Sequence, residues 1–545
     1  MRQPSSIARV LRLRAQTQPN ALAFAFRPDR GDGELRVTFG ELDARASAVA
    51  RELVRAGQPQ DRVALLFPAG LDFIAAFFGC LYAGRVAVPL PPPRRMASRD
   101  SSAGILADCE PSHVLTLSSM LEDLRPELAA NLTCGRTAIR LDGLAVGAEF
   151  DLRAPGELAV LQYTSGSTGS PKGVMVSNAN IMANLEMVRG ALAADASSVT
   201  AGWLPFHHDM GLVMTVLHPV YLGAACVLSS PAAFLHRPLK WLWAIHEHRA
   251  QLATAPNFAF DLCVERFRPE AVEGLDLSSW RVAQNGAEPV RADTLERFAR
   301  TFAPYGFEPS SFHPGYGLAE ATLMVTGRGC ENGLRVGAGN AVSCGPPVAG
   351  ASVAVVDHET RLRLPAGEVG EVWVSGAAVA QGYWRKPVET EQTFGAEIAG
   401  EPGRRWLRTG DLGFLHEDGE LFVTGRLKDL IIVRGANHYP QDIEATVQAA
   451  HPALKRGSGV AFLAPDSRGE DRLVIVQEVD RNHRRDFDAA AAADDIREAV
   501  SREHELSVHD VMLIRQGALP LTTSGKLRRR HTRQLWIDRK LDLDA

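Results

Sequence analysis

Two stretches of the chain combine residue types that could handle an anion. Residues 163–173 read YTSGSTGSPKG. Hydroxyl side chains alternate with glycines, and one lysine closes the run. Glycine permits φ > 0 and lets backbone amides come close to an anion. Hydroxyls and an ammonium add donors that suit phosphate oxygens. Thr164, Ser165, Gly166, Ser167, Thr168, Gly169 and Lys172 are therefore candidate phosphate-binding residues. A Walker A loop is excluded, because Gly173 rather than Ser or Thr follows Lys172. A flexible Ser/Gly linker is the competing reading, but an apolar run at 157–163 leads straight into the loop, and linkers rarely sit behind a buried strand. The second stretch is PLTTSGKLR at 520–528, which contains Lys526. Taken alone, beside Arg528, Arg529, Arg530 and Arg533, this lysine reads as a solvated charge.

The elements that would position these residues are short and alternate in type. Residues 62–66, 86–90 and 157–163 are β-branched, apolar runs that predict buried strands. Helical patterns follow from Asp72 and from Asn178. This alternation predicts α/β layers over roughly the first 420 residues. Residues 421–424 read as a strand, and GRLKD at 425–429 as a turn. Beyond it a smaller α+β pattern starts: strands at 430–434 and 473–478, helices at 441–449 and 488–502. The expected boundary divides the chain into 1–426 and 427–545.

Composition bounds the rest. The 545 residues exceed one compact core and suggest about two to four domains. A net charge of -5 excludes the basic footprint of a general nucleic-acid binder, so no nucleic-acid partner is expected. Seven scattered cysteines without a C-x-x-C exclude a disulfide scaffold and a zinc site, and point to a reducing cytoplasm. The N-terminus has arginines but no apolar core of a signal peptide. The most apolar stretch, 73–88, is too short to span a membrane and reads as a buried helix followed by a strand, so no integral membrane association is expected.

Further motifs, in order, give the chain a likeness. GYGLAEAT at 315–322, WLRTGD at 406–411 and GRLKD at 425–429 accompany the two lysine stretches. Together they resemble the adenylate-forming superfamily of acyl-CoA ligases, peptide-synthetase adenylation domains and luciferases, over essentially the whole chain. The resemblance implies ATP and Mg²⁺ as cofactors, a large N-terminal region of layered α/β subdomains, and a small mobile C-terminal α+β lid. It makes 164–169 and Lys172 the phosphate loop, and stacks Tyr316, followed by Gly317, on adenine. It assigns Mg²⁺ to Glu320 and Thr168, ribose hydroxyls to Asp411, and ribose or phosphate to Arg426. Lys428 becomes the hinge of the lid. Lys526 and Lys172 become the catalytic cations, with Lys526 spanning the attacking carboxylate and the α-phosphate, where negative charge accumulates.

Four segments are similar to the fatty acyl-AMP ligase branch: WLPFHHDMGL at 203–212, APNFAFDLC at 255–263, NGAEP at 285–289 and KDLIIVRGANHYPQDIE at 428–444. By that likeness Gly286 and Ala287 bind nucleotide, and His208, Asp209 and Phe258 border an acyl tunnel. A buried, satisfied histidine pair is an alternative for His208. An apolar tunnel suits an alkyl chain, at about 0.8 kcal/mol per buried CH₂. The implied partners are a fatty acid and an acyl carrier protein, or a carrier domain of a peptide or polyketide synthase. With 19 residues after Lys526, the carrier is expected to act in trans. The branch's insertion before its S-C-G segment is shortened here to residues 323–342. A medium- or long-chain acyl-CoA ligase is therefore the first alternative, and a non-catalytic acyl- or nucleotide-binding homologue the second. Neither His504 with His509 nor His246 with His248 has zinc-protease spacing, and all four are expected on surface helices.

Overall fold

The structure, a computed structural model, describes residues 4–29, 33–92, 101–122, 130, 136–145, 147, 150–164, 171–327, 329, 333–337, 341–433, 436–466, 468–521 and 527–541. They form two compact units: residues 1–409 with 414–422, and residues 410–413 with 423–545.

The first unit is built on two largely parallel sheets. One runs Thr137–Arg140, His113–Thr116, Arg62–Leu65, Val86–Pro89, Leu158–Thr164 and Lys172–Ser177, antiparallel only at its last pair. The other runs Met324–Gly327, Phe312–Gly317, Val282–Asn285, Leu252–Ala255, Thr200–Gly202, Cys226–Ser229, Leu22–Arg27 and Leu35–Thr38, with antiparallel pairs only at its edges. Parallel strands are covered on both faces, so they read as unbroken apolar runs. Val86–Pro89 and Leu252–Ala255 are buried at every position.

Helix Leu71–Tyr82 is buried along nearly its whole length. Gly79 permits its close approach to helix Phe39–Ala56, for a Cβ there would lie 2.5 Å from Val49. That second helix begins with a capping box between Thr38 and Glu41. A third sheet is ordered Ala351–Val356, Gly370–Gly376, Glu401–Leu415 and Ala396–Ile398, antiparallel in its first and last pairs, with Leu421–Arg426 paired to the long strand.

The second unit has its own core. Strands Leu454–Pro465 and Asp471–Val479 pair antiparallel, and Val508–Arg515 adds in parallel. The parallel step requires a crossover, which helix Ala489–His504 supplies. Ile443 and Val447 of helix Pro440–Ala450 pack with Ile475, Ile496 and Val500. Phe462, Val474, Val476 and Ile514 form a second cluster with Trp536 of helix Arg529–Ile537.

Two expectations change. Helix Ala489–His504 stops at Glu505, whose φ of 57° is left-handed, so His509 lies on a strand rather than a helix. His248 caps a helix and hydrogen-bonds Glu34 at 2.7 Å, so it is half-buried rather than a free surface residue. The five described cysteines are all free and buried. Among the described residues no helix is long and apolar enough to cross a membrane.

Candidate functional site

The ends of the hydroxyl- and glycine-rich loop are register partners, Thr164 opposite Lys172 and Tyr163 opposite Gly173. Residues 165–170, and so Ser165, Gly166, Ser167, Thr168 and Gly169, lie outside the described residues. A Cβ on Gly173 would meet the Tyr163 ring at 2.8 Å, which explains glycine there. The Tyr163 hydroxyl donates to Asp108 at 2.6 Å. Burial pushes this phenol far up, so it stays a donor.

The segment with Tyr316 and Glu320 turns sharply. Gly317 sits so close to the Leu323 carbonyl that a Cβ would lie 1.8 Å from it. Thr322 has a left-handed φ of 68°, held by its hydroxyl's bond to the Ala378 carbonyl at 2.7 Å. Two asparagines one turn apart on helix Asn178–Ala191 fasten the surroundings. Asn184 donates to the Met324 carbonyl at 2.9 Å, and Asn180 donates to the carbonyls of Ala377 and Val379 at 2.8 Å each. The Glu320 carboxylate accepts from the Tyr383 hydroxyl at 2.8 Å, and the Lys172 ammonium lies over the same ring, 4.8 Å from its centroid. Two candidates 148 positions apart thus meet on a tyrosine that sequence reasoning did not select.

Gly286 and Ala287 follow the carboxyl end of strand Val282–Asn285, beside the end that carries Tyr316. A Cβ on Gly286 would lie 2.9 Å from the Gly315 carbonyl, and Ala287 has a φ of 68°. The carboxyl ends of parallel strands are where open α/β sheets bind ligands.

The acyl-tunnel candidates are tied to this region. Gln162 donates to the His207 carbonyl at 2.6 Å. His207 and His208 lie ring to ring at 4.6 Å, and burial depresses His207 to a pKa of about 4. His208 precedes the short helix Asp209–Leu212, whose Met210 amide donates to the Asp209 carboxylate at 2.8 Å. The Phe258 amide donates to Glu288 at 2.6 Å, directly after Gly286 and Ala287. Its ring packs edge-on to Trp203 and Phe234, at 6.0 and 6.5 Å.

In the second unit Asp411 is buried, and Arg426 reaches it at 3.0 Å. Lys428 stands in the 3₁₀ turn Leu427–Asp429. Lys526 lies outside the described residues, but its flanks are fixed by a bridge between Leu521 and Leu527 and by the Arg528 amide on the Pro520 carbonyl at 2.9 Å. The neighbouring arginines are not simply solvated. Arg529 pairs with Glu444 and Asp429, and Arg533 donates to the Leu463 carbonyl at 2.7 Å. Asn180, Asn184, Glu288, Tyr383 and Arg529 were the residues sequence reasoning missed. Glu288 lies within the NGAEP segment and Arg529 within the basic run already noted, but neither carried a role there, while Asn180, Asn184 and Tyr383 are polar residues in segments that no local pattern marks.

The family described as AMP-binding enzyme matches residues 11–384, and that described as Disco-interacting protein 2-like, AMP domain, matches residues 428–545. The medium-chain-fatty-acid–acyl-carrier-protein ligase JamA of Moorena producens (strain JHB) is 40% identical over 99% of this chain and 96% of its own. That alignment runs to 572 positions against 545 residues, so gaps fall within this chain. The 4-hydroxyphenylalkanoate adenylyltransferase of Mycobacterium tuberculosis is also 40% identical, over 96% of this chain and 90% of its own. Among solved structures, the fatty acyl-adenylate ligase of L. pneumophila in complex with acyl adenylate and pyrophosphate is 39% identical. It covers 98% of this chain and 97% of its own, with a TM-score of 0.75. By sequence and by fold, the chain belongs to the AMP-binding enzyme family, in the fatty acyl-AMP ligase branch of the adenylate-forming superfamily.

Proposed function

We propose that this enzyme activates a fatty acid with ATP and passes the acyl group to a carrier-protein thiol in trans. In the first half-reaction a carboxylate oxygen bonds to the α-phosphorus, the bond from that phosphorus to pyrophosphate breaks, and acyl-adenylate forms. In the second, a phosphopantetheine thiolate attacks the acyl carbon, AMP leaves, and a thioester forms. The observation that carries the reading is the meeting of Lys172 and Glu320 on Tyr383, which brings a cation for phosphate beside a carboxylate for a metal ion.

Residues 164–169 and Lys172 hold the phosphates, and Tyr316, Gly286, Ala287 and Gly317 take the adenine. Asp411 and Arg426 take the ribose. Glu320, with Thr168, would hold Mg²⁺, and a phenol bonded to the carboxylate is the kind of support metal ligands have. Bound Mg²⁺ neutralises charge on the phosphate oxygens. His208, Asp209 and Phe258 border the acyl group. Residues 427–545 act as the lid, turning about Lys428 and delivering Lys526 to the reacting oxygens. The relatives' names, on a medium-chain fatty acid and on 4-hydroxyphenylalkanoates, support a carboxylic acid with an extended apolar body.

The test is a mass-spectrometric assay with ATP, Mg²⁺ and fatty acids from about C6 to C18, a span over which buried CH₂ groups add up. Each acid is run alone, with CoA, and with a phosphopantetheinylated carrier. Acyl-AMP that persists with CoA and loads the carrier supports the proposal. Rapid acyl-CoA formation overturns the carrier assignment, and no acyl-AMP from any acid overturns the reaction.

A further inference from the structure

Tyr383 is sewn to the strand that leaves the phosphate loop. The Met175 amide donates to the Gly382 carbonyl at 2.9 Å, the Gln381 amide to the Met175 carbonyl at 2.9 Å, and the Trp384 amide to the Gly173 carbonyl at 2.8 Å. Its own amide donates to the Thr390 hydroxyl at 2.9 Å, and Phe394 stands edge-on to its ring at 5.1 Å. The ring is buried and has no freedom to choose another direction. From this fixed base the hydroxyl reaches Glu320, and the Ala380 amide donates to the Glu320 carbonyl at 2.8 Å. One short segment therefore grips Glu320 by backbone and side chain while its aromatic face receives Lys172.

We propose that Tyr383 is a positioning residue that sets the Glu320 carboxylate for the metal ion and holds Lys172 beside it before nucleotide arrives. This rests on Glu320 holding Mg²⁺, as proposed above. A phenol donating to an ionised carboxylate makes a charge-assisted hydrogen bond and limits the carboxylate's rotation. The ring face attracts the ammonium by cation–π interaction. The two functions separate chemically: the hydroxyl serves the carboxylate, and the ring serves the lysine.

The experiment compares wild type, Tyr383→Phe, Tyr383→Leu, Glu320→Gln and the Tyr383→Phe/Glu320→Gln double variant. Metal binding is read by electron paramagnetic resonance of Mn²⁺ with a non-hydrolysable ATP analogue, and by the Mg²⁺ dependence of pyrophosphate exchange. Tyr383→Phe keeps the ring and should weaken metal binding about tenfold, the lower end for losing such support. Its KM for ATP at saturating Mg²⁺ should move less than about twofold, within the scatter of a neutral change. Tyr383→Leu should also raise that KM about fivefold, the size of one cation–π contact. In the double variant, the Phe substitution should add nothing to Glu320→Gln. Wild-type metal binding by Tyr383→Phe while Glu320→Gln is weakened, or additive effects in the double variant, overturns the proposal. Unchanged metal binding by Glu320→Gln overturns the assignment of Glu320 instead.

Discussion

The guanidinium of Arg529 lies 2.7 Å from the Glu444 carboxylate. Glu444 is buried, and it also accepts from the Ala461 amide at 2.9 Å. Asp429, in the turn with Lys428, holds the other side of the same guanidinium at 3.2 Å. Arg529 thus ties helix Pro440–Ala450, that turn and the start of the last helix into one node. Arg529→Met leaves a buried carboxylate without its cation and should destabilise the second unit by about 3 kcal/mol. Faster amide exchange in helix Pro440–Ala450 measures it, and a Glu444→Met partner substitution should restore much of the loss.

Asp411 and Arg426 hold each other at 3.0 Å, so a nucleotide that uses Asp411 finds the carboxylate already aimed. Asp411→Asn keeps the shape, removes the charge and weakens the acceptor. The KM for ATP should rise about tenfold, equivalent to one charge-assisted hydrogen bond of about 1.5 kcal/mol. An unchanged KM would remove Asp411 from the nucleotide site. Steady-state pyrophosphate exchange reads it directly.

His218 is fully buried, and neither ring nitrogen has a protein partner among the described residues. Burial depresses its pKa to about 3, with Arg189 adding repulsion. The folded state therefore refuses a proton that the unfolded chain takes up below about pH 6.5. Stability should be unaffected above that pH and should fall as pH drops from about 6.5 towards 3, by up to roughly 1.4 kcal/mol per pH unit. Denaturant midpoints at pH 7.5 and 5 should differ less in His218→Leu than in wild type.

Lys526 carries the sharpest kinetic expectation. Lys526→Ala should lower acyl-AMP formation at least about 100-fold, the usual scale for one group aimed at developing charge. Transfer from pre-made acyl-AMP to a carrier should change less than about threefold, because that step leaves the α-phosphate bonds untouched. Equal losses in the two half-reactions would place the lysine elsewhere. Single-turnover assays separate the steps.

The architecture was readable where burial imposes a pattern. Strands Val86–Pro89 and Leu158–Thr164 are neighbours inside one largely parallel sheet and are buried along most of their length, so most of their side chains must be apolar. Helix Asn178–Ala191 was visible from its start, where Ser177 caps it. The site's supports were not readable. Asn180 and Asn184 are polar positions on a helix, and their carbonyl partners lie 137 or more residues away. Tyr383 stands in a segment whose composition suggests only a turn, 63 positions from the carboxylate it serves. The end of helix Ala489–His504 was expected to within two residues, but His509 was still expected on a helix, because Glu505 takes a left-handed conformation normally marked by glycine or asparagine. Arg529 was hidden in a basic run whose members look alike until their partners are known.

The chain passes between the two compact units more than once, at 409/410, 413/414 and 422/423. A graft designed with a single junction after Arg426 would take Asp411 from one parent and the residues beyond Arg426 from another. The Asp411–Arg426 pair would then come wholly from the first parent, while the Asp429–Arg529 and Glu444–Arg529 pairs would come from the second. Exchange of second units among homologues is therefore a splice of two charge networks that come from different parents. Parents should be matched at the turn that joins them, rather than chosen by overall identity.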